Sequence, residues 1–384
     1  MTVFLFEFHR RPASDGAVIL VLTAGFGDGH NTAAASVAEA LRRLSPGEEV
    51  VVSDLISETL PRLADVLKSL YQVAITHLPG AWRAVYKLLE KGDLDAGRDP
   101  WLRPLTLALK RRLETDRPRL VVSTYPLYAG LLAALRRQAP VPPLVTVITD
   151  STSVHPIWLK DSSDLHCVAD EETLEVVVRM GAAREKVRIT GFPVSLQFVD
   201  PAPPSVPGPG ILYLPSTPAC HVAATLESLR PQLLSGARLT LPVGKHRSRL
   251  YHVLRRFTDS LPSECVEIIG WTRRIPDLLR SHTLVICKAG GAILHEVMAA
   301  RIPPVIDYVV PGQEEGNAEY LLSRHCALRS TTPQETGAAV ARLLEHDARL
   351  ARQMRERMLP ISVPDAALRV GREVLVLAPP AAMG

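Results

Sequence analysis

The sequence has few aromatic residues, no paired cysteines and no long apolar run, and each of these absences excludes a class of protein. Aromatic residues make up 5% of the 384 residues, so the core must consist mainly of Leu, Val, Ile and Ala. The five cysteines are scattered without a CxxC pair, which argues against a zinc ribbon or a disulfide framework. No stretch reaches the ~20 apolar residues that a membrane span requires. We therefore expect a globular protein of a reducing compartment.

The charge and the first residues point to the same class of protein. The net charge of +4 is too small to indicate nucleic-acid binding, although a local excess of positive charge would suit an anionic ligand or membrane surface. In residues 1–16 the arginines follow a short apolar run, which is the reverse of a secretory signal. We expect a cytoplasmic protein that associates with the membrane only peripherally.

A proline-rich stretch divides the chain into two halves. Residues 200–210 contain five prolines and two glycines, a composition typical of a semi-rigid linker. Both halves then begin with a continuous apolar strand, a loop and a helix with apolar residues on one face. Such strands, alternating with amphipathic helices, predict parallel sheets covered on both faces. The predicted fold class is therefore α/β, with two Rossmann-like, doubly wound domains facing a central cleft.

The linker predicts two domains of nearly equal size. Residues 1–199, joined by a C-terminal helix at about 360–384, form the first domain, and residues 211–359 form the second.

The first motif is TAGFGDGHNTAAA, residues 23–35, which lies between a strand and a helix predicted to begin near Asn31. Its glycines permit a tight turn, and the helix start offers free N–H groups to an anion. The spacing matches neither the dinucleotide fingerprint nor a Walker loop. By itself the motif is also compatible with an ordinary strand-to-helix turn.

The second motif covers residues 287–321, where a strand ends and Gly290–Gly291 open a helix. This is a second anion site at a helix start, and Glu296 follows close enough to accept hydrogen bonds from a ribose. A polar turn that contains Gln313 and Glu314 follows the next strand, at the edge where open α/β sheets bind ligands. Amide and carboxylate groups there suit sugar hydroxyls.

The third motif covers residues 147–173. Asp150 and His155 follow a buried strand and are therefore placed at a sheet edge. With Asp164 and His166 they resemble a metal cluster, but the spacings match no compact zinc arrangement. We expect no metal site.

A helical stretch from Leu60 to Leu113 interrupts the alternation of strands and helices. It carries several aromatic residues and ends in Lys110, Arg111 and Arg112. A basic, aromatic amphipathic stretch suits an anionic bilayer, and its alternative is a set of ordinary helices with a solvated charged face.

Together these motifs resemble the glycosyltransferase family that contains monogalactosyldiacylglycerol synthases and bacterial processive diacylglycerol glucosyltransferases. More distantly the chain is similar to the N-acetylglucosaminyl transferase of the lipid II pathway. The resemblance runs from about Val18 to Arg329. The residues that carry it are the loop ending in His30, Tyr71…Pro79…Trp82…Tyr86, Ser123-Thr124-Tyr125-Pro126, Thr149-Asp150…His155-Pro156…Trp158, Thr190-Gly191…Pro193-Val194, Gly244-Lys245, Gly290-Gly291…Glu296 and Pro311-Gly312-Gln313-Glu314-Glu315…Asn317-Ala318.

The resemblance implies a GT-B fold and an inverting transfer from a UDP-sugar to a lipid such as diacylglycerol at the cytoplasmic membrane face, without a metal or another cofactor. It makes His30 the candidate base, with Asp150 as the second candidate or as an orienting partner of the histidine. The implied donor ligands are Gly29, Ser216, Thr217, Lys245, Gly290, Gly291, Glu296 for the ribose, and Gln313 with Glu314 for the sugar. The implied acceptor or membrane contacts are Tyr71, Trp82, Tyr86, His155, Lys110, Arg111 and Arg112.

The chain departs from the family pattern at the first loop of its second half. That loop is normally glycine-rich, but here it reads PSTPACH, residues 215–221, so hydroxyls of Ser216 and Thr217 would have to replace backbone contacts to the diphosphate. Two alternatives share the predicted fold: a UDP-sugar 2-epimerase and a non-catalytic nucleotide-sugar-binding protein. Epimerases characteristically carry a Ser-Gly-Gly-x-Gln-Glu-Glu run, whereas residues 289–296 read AGGAILHE.

Overall fold

The computed structural model describes residues 18–25, 28–77, 99–151, 154–159, 163–206, 208–244, 247–311 and 314–378. The chain divides into two compact units, each built around one sheet. The first unit comprises the described residues of Val3–Leu196 and Asp365–Gly384. The second unit comprises those of Gln197–Pro364.

The described strands are short, and those in the centre of each sheet are almost continuously apolar, as expected for strands buried on both faces. They are β1 (Val18–Leu22), β2 (Glu49–Ser53), β3 (Leu120–Ser123), β4 (Leu144–Val147), β5 (Leu165–Val168), β6 (Val187–Ile189), β7 (Gly210–Tyr213), β8 (Arg238–Pro242), β9 (Val266–Ile269), β10 (Leu284–Lys288), β11 (Pro304–Tyr308) and β12 (Leu328–Arg329).

Most of the described helices alternate with these strands, but three helices follow one another between β2 and β3, where the sequence predicts an interruption. They are α1 (Asp28–Leu44), α2 (Leu55–Thr59), α3 (Pro61–His77), α4 (Arg103–Asp116), α5 (Leu127–Arg136), α6 (Glu171–Arg179), α7 (Ala219–Leu234), α8 (Arg247–Thr258), α9 (Ile275–Ser281), α10 (Gly291–Ala300), α11 (Glu315–Leu322), α12 (Pro333–Arg357) and α13 (Ala366–Leu377). Residues 345–348 of α12 have non-helical backbone angles. None of the helices searched in the described ranges is long and apolar enough to cross a membrane.

Both sheets have six strands, and every adjacent pair is parallel. The first has the order β2-β1-β3-β4-β5-β6, and the second has the order β12-β11-β10-β7-β8-β9. The predicted doubly wound α/β architecture is therefore confirmed.

Alternation along β1 shows how the first sheet is covered on both faces. Ile19 and Val21 pack with α1 and α13 in one core cluster, while Leu20 and Leu22 pack with α4 and α5 in another. Helix α13 approaches α1 closely, because a Cβ on Gly371 would lie 2.8 Å from Leu44 Cδ1. The last described helix thus completes the core of the first unit, which contains β1.

Helix α1 begins earlier than the sequence indicates. Its apolar periodicity starts near Thr32, but the helix itself begins at Asp28. Asp28 and Gly29 have low helix propensity and carry no apolar signal, so the pattern hides the first turn. His30 consequently lies within the first turn of the helix rather than at the end of a loop.

Candidate active site

The loop after β1 is held by bonds from three other parts of the first unit. The N–H of Gly25 donates to Asp54 Oδ2 at 3.1 Å, and the Tyr128 hydroxyl donates to the Thr23 carbonyl at 2.7 Å. The Thr23 hydroxyl donates to Asn31 Oδ1 at 2.9 Å, which ties the loop to the first turns of α1. These bonds fix the start of α1 relative to the carboxyl edge of the sheet.

The imidazole of His30 is oriented by two threonines. Its Nδ1 lies 2.8 Å from the Thr124 carbonyl oxygen and 2.8 Å from the Thr149 hydroxyl oxygen. The Thr124 hydroxyl also donates to the His30 carbonyl at 3.0 Å. Thr124 follows β3 and Thr149 follows β4, so the two adjacent strand ends hold the ring between them.

The Thr124 carbonyl decides which nitrogen of His30 carries the proton. A carbonyl oxygen only accepts hydrogen bonds, so Nδ1 is the protonated nitrogen and donates to it. In the neutral ring, Nε2 then holds the free lone pair. Nε2 has no hydrogen-bond partner among the described residues, and it is therefore the nitrogen able to take a proton from another molecule.

The surroundings of His30 keep this nitrogen unprotonated. Burial lowers the pKa of His30 below its usual value, although the Asp150 carboxylate and the bond to Thr124 partly oppose this effect. Tyr125 packs edge-on against the ring with centroids 5.0 Å apart, and Trp158 lies at 6.1 Å. The site thus provides a neutral base at ordinary pH.

Asp150 acts on His30 through its charge and not through a hydrogen bond. Its Oδ2 accepts from Trp158 Nε1 at 2.7 Å and from the N–H of His155 at 3.4 Å. Thr124 and Thr149 are the hydrogen-bond partners at His30 Nδ1, and the role of Asp150 as the second candidate base or as an orienting partner stays a prediction. Asp150 holds Trp158 beside the ring.

His155 shapes a turn in this structure. Its Nδ1 accepts from the N–H of Ile157 at 3.1 Å, at the start of the 3₁₀ turn Pro156–Leu159 that carries Trp158. A contact of His155 with an acceptor stays a prediction.

In the second unit, α10 begins with N–H groups that are not capped by a side chain. Its N-cap residue is Gly290, and Gly291 is its first residue. A Cβ on Gly290 would lie 3.2 Å from Lys288 Nζ and 3.5 Å from Glu314 Oε1, so any larger residue would crowd this corner. The helix start, with its positive dipole end, is a suitable anion site.

Lys288 and Glu314 form an ion pair next to this helix start. Lys288 Nζ bonds to Glu314 Oε1, and the N–H of Val310 donates to Glu314 Oε2 at 3.0 Å. The Glu314 side chain is only 6% exposed, whereas that of Lys288 is 34% exposed. Both oxygens of Glu314 are thus engaged within the protein, and its role as a sugar ligand stays a prediction.

Glu296 lies on α10, where it is half-buried. Burial raises the pKa of Glu296 to about 7, because no neighbouring cation in the described part offsets the loss of water. Near neutral pH the group is therefore present in both charge states. Its predicted contact with a ribose is untested.

The loop between β7 and α7 differs from its predicted geometry. Thr217 is only 2% exposed, and its hydroxyl lies near that of Tyr213, which belongs to the core beneath the loop. The prediction that this hydroxyl replaces backbone contacts to the donor is therefore wrong, because the side chain is turned towards the sheet. Ser216 Oγ is buried without a partner among the described residues, and its role stays a prediction.

The basic residues of α4 differ in how far their charges are already paired with acidic residues of the protein. Arg112 pairs with Asp116 and also lies 3.7 Å from Glu58, whereas Lys110 is only loosely paired with Glu114 at 3.9 Å. Arg111 is exposed. The expectation that all three of Lys110, Arg111 and Arg112 offer free charge to a membrane is therefore wrong for Arg112.

Several predicted residues cannot be placed. Trp82, Tyr86, Lys245 and Gln313 lie outside the described residues, as does the side chain of Tyr71. Gly29 lies in the first turn of α1, in the first unit, while the other placed donor candidates lie in the second. In the described ranges no three His, Cys, Asp or Glu side chains come together to hold a metal ion. Independence from metal stays a prediction.

Sequence reasoning did not assign roles to Thr124, Thr149 or Lys288. Each lies at or just after the carboxyl end of a parallel strand, where ligand sites of this architecture form. Their position at these strand ends was the signal by which the sequence could have indicated a role in the site.

Comparison with known proteins supports the resemblance. Residues 30–194 match the family model of monogalactosyldiacylglycerol (MGDG) synthase. The processive diacylglycerol beta-glucosyltransferase of Bacillus cereus strain G9842 is 28% identical over 361 residues, covering 91% of each protein. The protein of the same name from Bacillus cytotoxicus is 28% identical over 368 residues, covering 92% of each. The predicted resemblance is thereby confirmed.

Solved structures share the fold at low sequence identity. MurG of Acinetobacter baumannii has a TM-score of 0.61 at 15% identity, covering 94% of this chain and 99% of that chain. Anabaena Alr3699/HepE in complex with UDP and glucose has a TM-score of 0.55 at 13% identity, covering 93% and 99%. The fold class of this chain is thus that of GT-B glycosyltransferases.

Proposed function

We propose that the protein is a metal-independent, inverting glycosyltransferase that moves a sugar from a UDP-sugar to a lipid acceptor such as diacylglycerol. The observation that carries the proposal is His30, whose Nδ1 is bonded to Thr124 while its Nε2 is left as a base. The diacylglycerol glucosyltransferases that match over 91% of the chain support the acceptor class. The UDP complex of Anabaena HepE supports the donor class.

In the proposed reaction, Nε2 of His30 removes the proton of the acceptor hydroxyl. The resulting oxygen attacks the anomeric carbon of the sugar, and the bond from that carbon to the diphosphate oxygen breaks. UDP leaves with the electron pair. A single displacement of this kind inverts the anomeric configuration, and general-base assistance contributes about 10²–10⁴-fold to such a step.

The charge that develops on UDP requires a cationic site. The start of α10 supplies N–H groups and a positive dipole end, and the half-exposed Lys288 supplies a full charge beside Gly290. When the diphosphate draws Lys288 to itself, Oε1 of Glu314 is released for a sugar hydroxyl. This exchange reconciles the observed ion pair with the predicted sugar contact.

Helix α3 supplies the surface by which the protein would reach a lipid. Leu63, Val66, Leu67 and Leu70 are 51%, 55%, 41% and 59% exposed. Their spacing places them on one face of the helix, so they form an exposed apolar stripe. We assign this stripe to peripheral contact with the cytoplasmic membrane face.

The test is a transfer assay with radiolabelled UDP-glucose, UDP-galactose and UDP-N-acetylglucosamine, each offered with vesicles that contain diacylglycerol. We expect labelled glycolipid from at least one donor, formed equally in EDTA, with an anomeric configuration opposite to that of the donor. Conversion of a UDP-sugar into its 2-epimer without glycolipid would favour the epimerase. Tight UDP binding without turnover would favour the non-catalytic alternative.

A further inference from the structure

A group of polar side chains interrupts the apolar core of the second unit at the carboxyl edge of its sheet. Ile211 and Val305 belong to the core cluster that packs against α7. Tyr213 lies two residues beyond Ile211 and so faces the same side of the sheet. Asp307 lies at a register shift in the pairing of β10 with β11, and its carboxylate is close to the Tyr213 hydroxyl. Helix α7 covers this face and presents the buried Thr225 to it.

These side chains are almost completely removed from solvent. Tyr213 and Thr225 are 0% exposed, and Asp307 is 5% exposed. Thr217, Thr225 and Asp307 all lie close enough to the Tyr213 hydroxyl to influence its pKa, which burial and the Asp307 charge raise. None of their side-chain oxygens makes a hydrogen bond of good geometry with another described group.

Such a cluster is costly in a position that apolar residues would fill. Each buried polar group without a well-formed hydrogen bond costs about 1–3 kcal/mol. The cluster lies directly beneath the loop from β7 to α7, in the part of a parallel sheet where ligands bind. Thr217, a residue of that loop, contributes its hydroxyl to the cluster.

The same loop residue is held from a second direction. Arg249 Nη2 donates to the Thr217 carbonyl at 3.2 Å, so both the side chain and the backbone of Thr217 have neighbours in the protein. The loop contains Pro215 and Pro218 and lacks glycine. The two prolines restrict the backbone of the loop, and the bond from Arg249 holds it at Thr217.

We propose that Tyr213, Thr225 and Asp307 are positioning residues that hold Thr217 from beneath and thereby fix the loop for binding the donor diphosphate. In this scheme the buried hydroxyl of Thr217 anchors the loop, and the backbone N–H groups at the start of α7 face the ligand. The inference rests on the proposed UDP-sugar-dependent function. It explains how a loop without glycine serves at a position where glycine is usual.

The experiment measures UDP affinity by calorimetry on the full chain for Tyr213→Phe, Thr217→Val and the double variant. Each single change removes one hydroxyl and preserves the shape of the side chain. We expect each to weaken UDP binding about tenfold, because each removes one of the two neighbouring hydroxyls, leaves the other without its polar neighbour and so loosens the loop. The double variant should bind no more weakly than the weaker single variant, because both changes release the same anchor.

Two matched variants separate positioning from general stability. Thr217→Ser keeps the hydroxyl and should retain the affinity of the wild type. Thr240→Val removes another buried hydroxyl of the second unit, which bonds to His282 Nε2 at 2.9 Å, and should lower the melting temperature without changing UDP affinity. If Tyr213→Phe does not fold, the comparison of UDP affinity between Thr217→Val and Thr217→Ser tests the anchoring role of the Thr217 hydroxyl by itself.

The outcomes distinguish this inference from the function on which it rests. A wild-type protein that binds no UDP would refute the proposed donor class. A wild type that binds UDP, with Thr217→Val of unchanged affinity, would overturn the positioning role. Losses that multiply in the double variant would also overturn it, since they would show two independent effects.

Discussion

At the scale of single residues, the candidate role of His30 was predictable from the sequence, but the state of its imidazole ring was not. The family resemblance made His30 the candidate base, whereas its glycine loop alone was also compatible with an ordinary turn. Its tautomer was not predictable, because the groups that fix it lie 94 and 119 residues further along the chain. Only the parallel pairing of β1, β3 and β4 brings Thr124 and Thr149 to this ring.

The pH dependence of turnover tests the environment of His30. Because burial lowers its pKa, the acid limb of kcat/KM should have its midpoint below pH 6.5. Asp150→Asn removes the charge that raises this pKa, so the midpoint should move to still lower pH. Asp164→Asn is the control, since Asp164 accepts from the N–H of Leu144 at the opposite end of β4. An unchanged midpoint in Asp150→Asn would contradict the electrostatic coupling.

Glu296 provides a second pH test. Its pKa of about 7 means that the carboxylate becomes fully charged only above neutral pH. If it accepts hydrogen bonds from the ribose, UDP-glucose affinity should rise between pH 6 and 8, and Glu296→Ala should lose about tenfold at the upper end. Glu296→Gln should remove the pH dependence. Titration calorimetry at three pH values would measure this, and identical profiles for wild type and variants would refute the ribose contact.

At the scale of elements, the apolar patterns showed that strands alternate with helices but did not show which surfaces stay exposed. Helix α1 began at Asp28, ahead of its periodic region. The stretch from Leu60 to Leu113 was predicted to contact lipid, with Lys110, Arg111 and Arg112 as its basic group. The pairing of Arg112 with Asp116, four residues later on the same helix, can be read from the sequence, but its approach to Glu58 cannot, because Glu58 lies on another helix.

The exposed stripe of α3 should therefore contribute more to membrane binding than the basic residues of α4. Val66→Ser/Leu70→Ser removes apolar area that would enter the bilayer interface and should reduce vesicle binding tenfold or more. Arg111→Ala is the comparison and should cost less, about 1 kcal/mol at low salt. Sedimentation with anionic vesicles measures both. Undiminished binding of the double variant would place the contact elsewhere.

At the scale of the whole molecule, alternating strands and helices were sufficient to predict two doubly wound sheets. Strand order was not predictable, because it depends on which neighbours pair across long connections, such as β10 between β7 and β11. The buried cluster around Asp307 was missed for the same reason. Its members come from two strands, a loop and a helix that share no local pattern.

Asp307 should make global stability depend on pH. Burial raises its pKa from 3.8 to about 7, so above pH 4 the unfolded chain loses a proton that the folded protein retains. The free energy of unfolding should therefore fall as pH rises from about 4 to about 7. Asp307→Asn has no carboxyl group that can titrate, so its stability should not show this fall. The melting temperature of the variant minus that of the wild type should therefore rise by a few degrees from about pH 4 to about pH 7. A constant difference between the two proteins would show that Asp307 is ionised in the fold.

If His30 is the base of a glycosyl transfer, its replacement must lower turnover and leave donor binding and stability nearly unchanged. Turnover from UDP-sugar to diacylglycerol is measured for wild type and His30→Ala, together with UDP affinity and melting temperature on the same preparations. We predict that turnover falls about 10²–10⁴-fold while UDP affinity and melting temperature stay close to those of the wild type. Near-normal turnover, with a melting temperature lowered by the loss of the bonds to Thr124 and Thr149, would show that His30 is a structural residue and not the base.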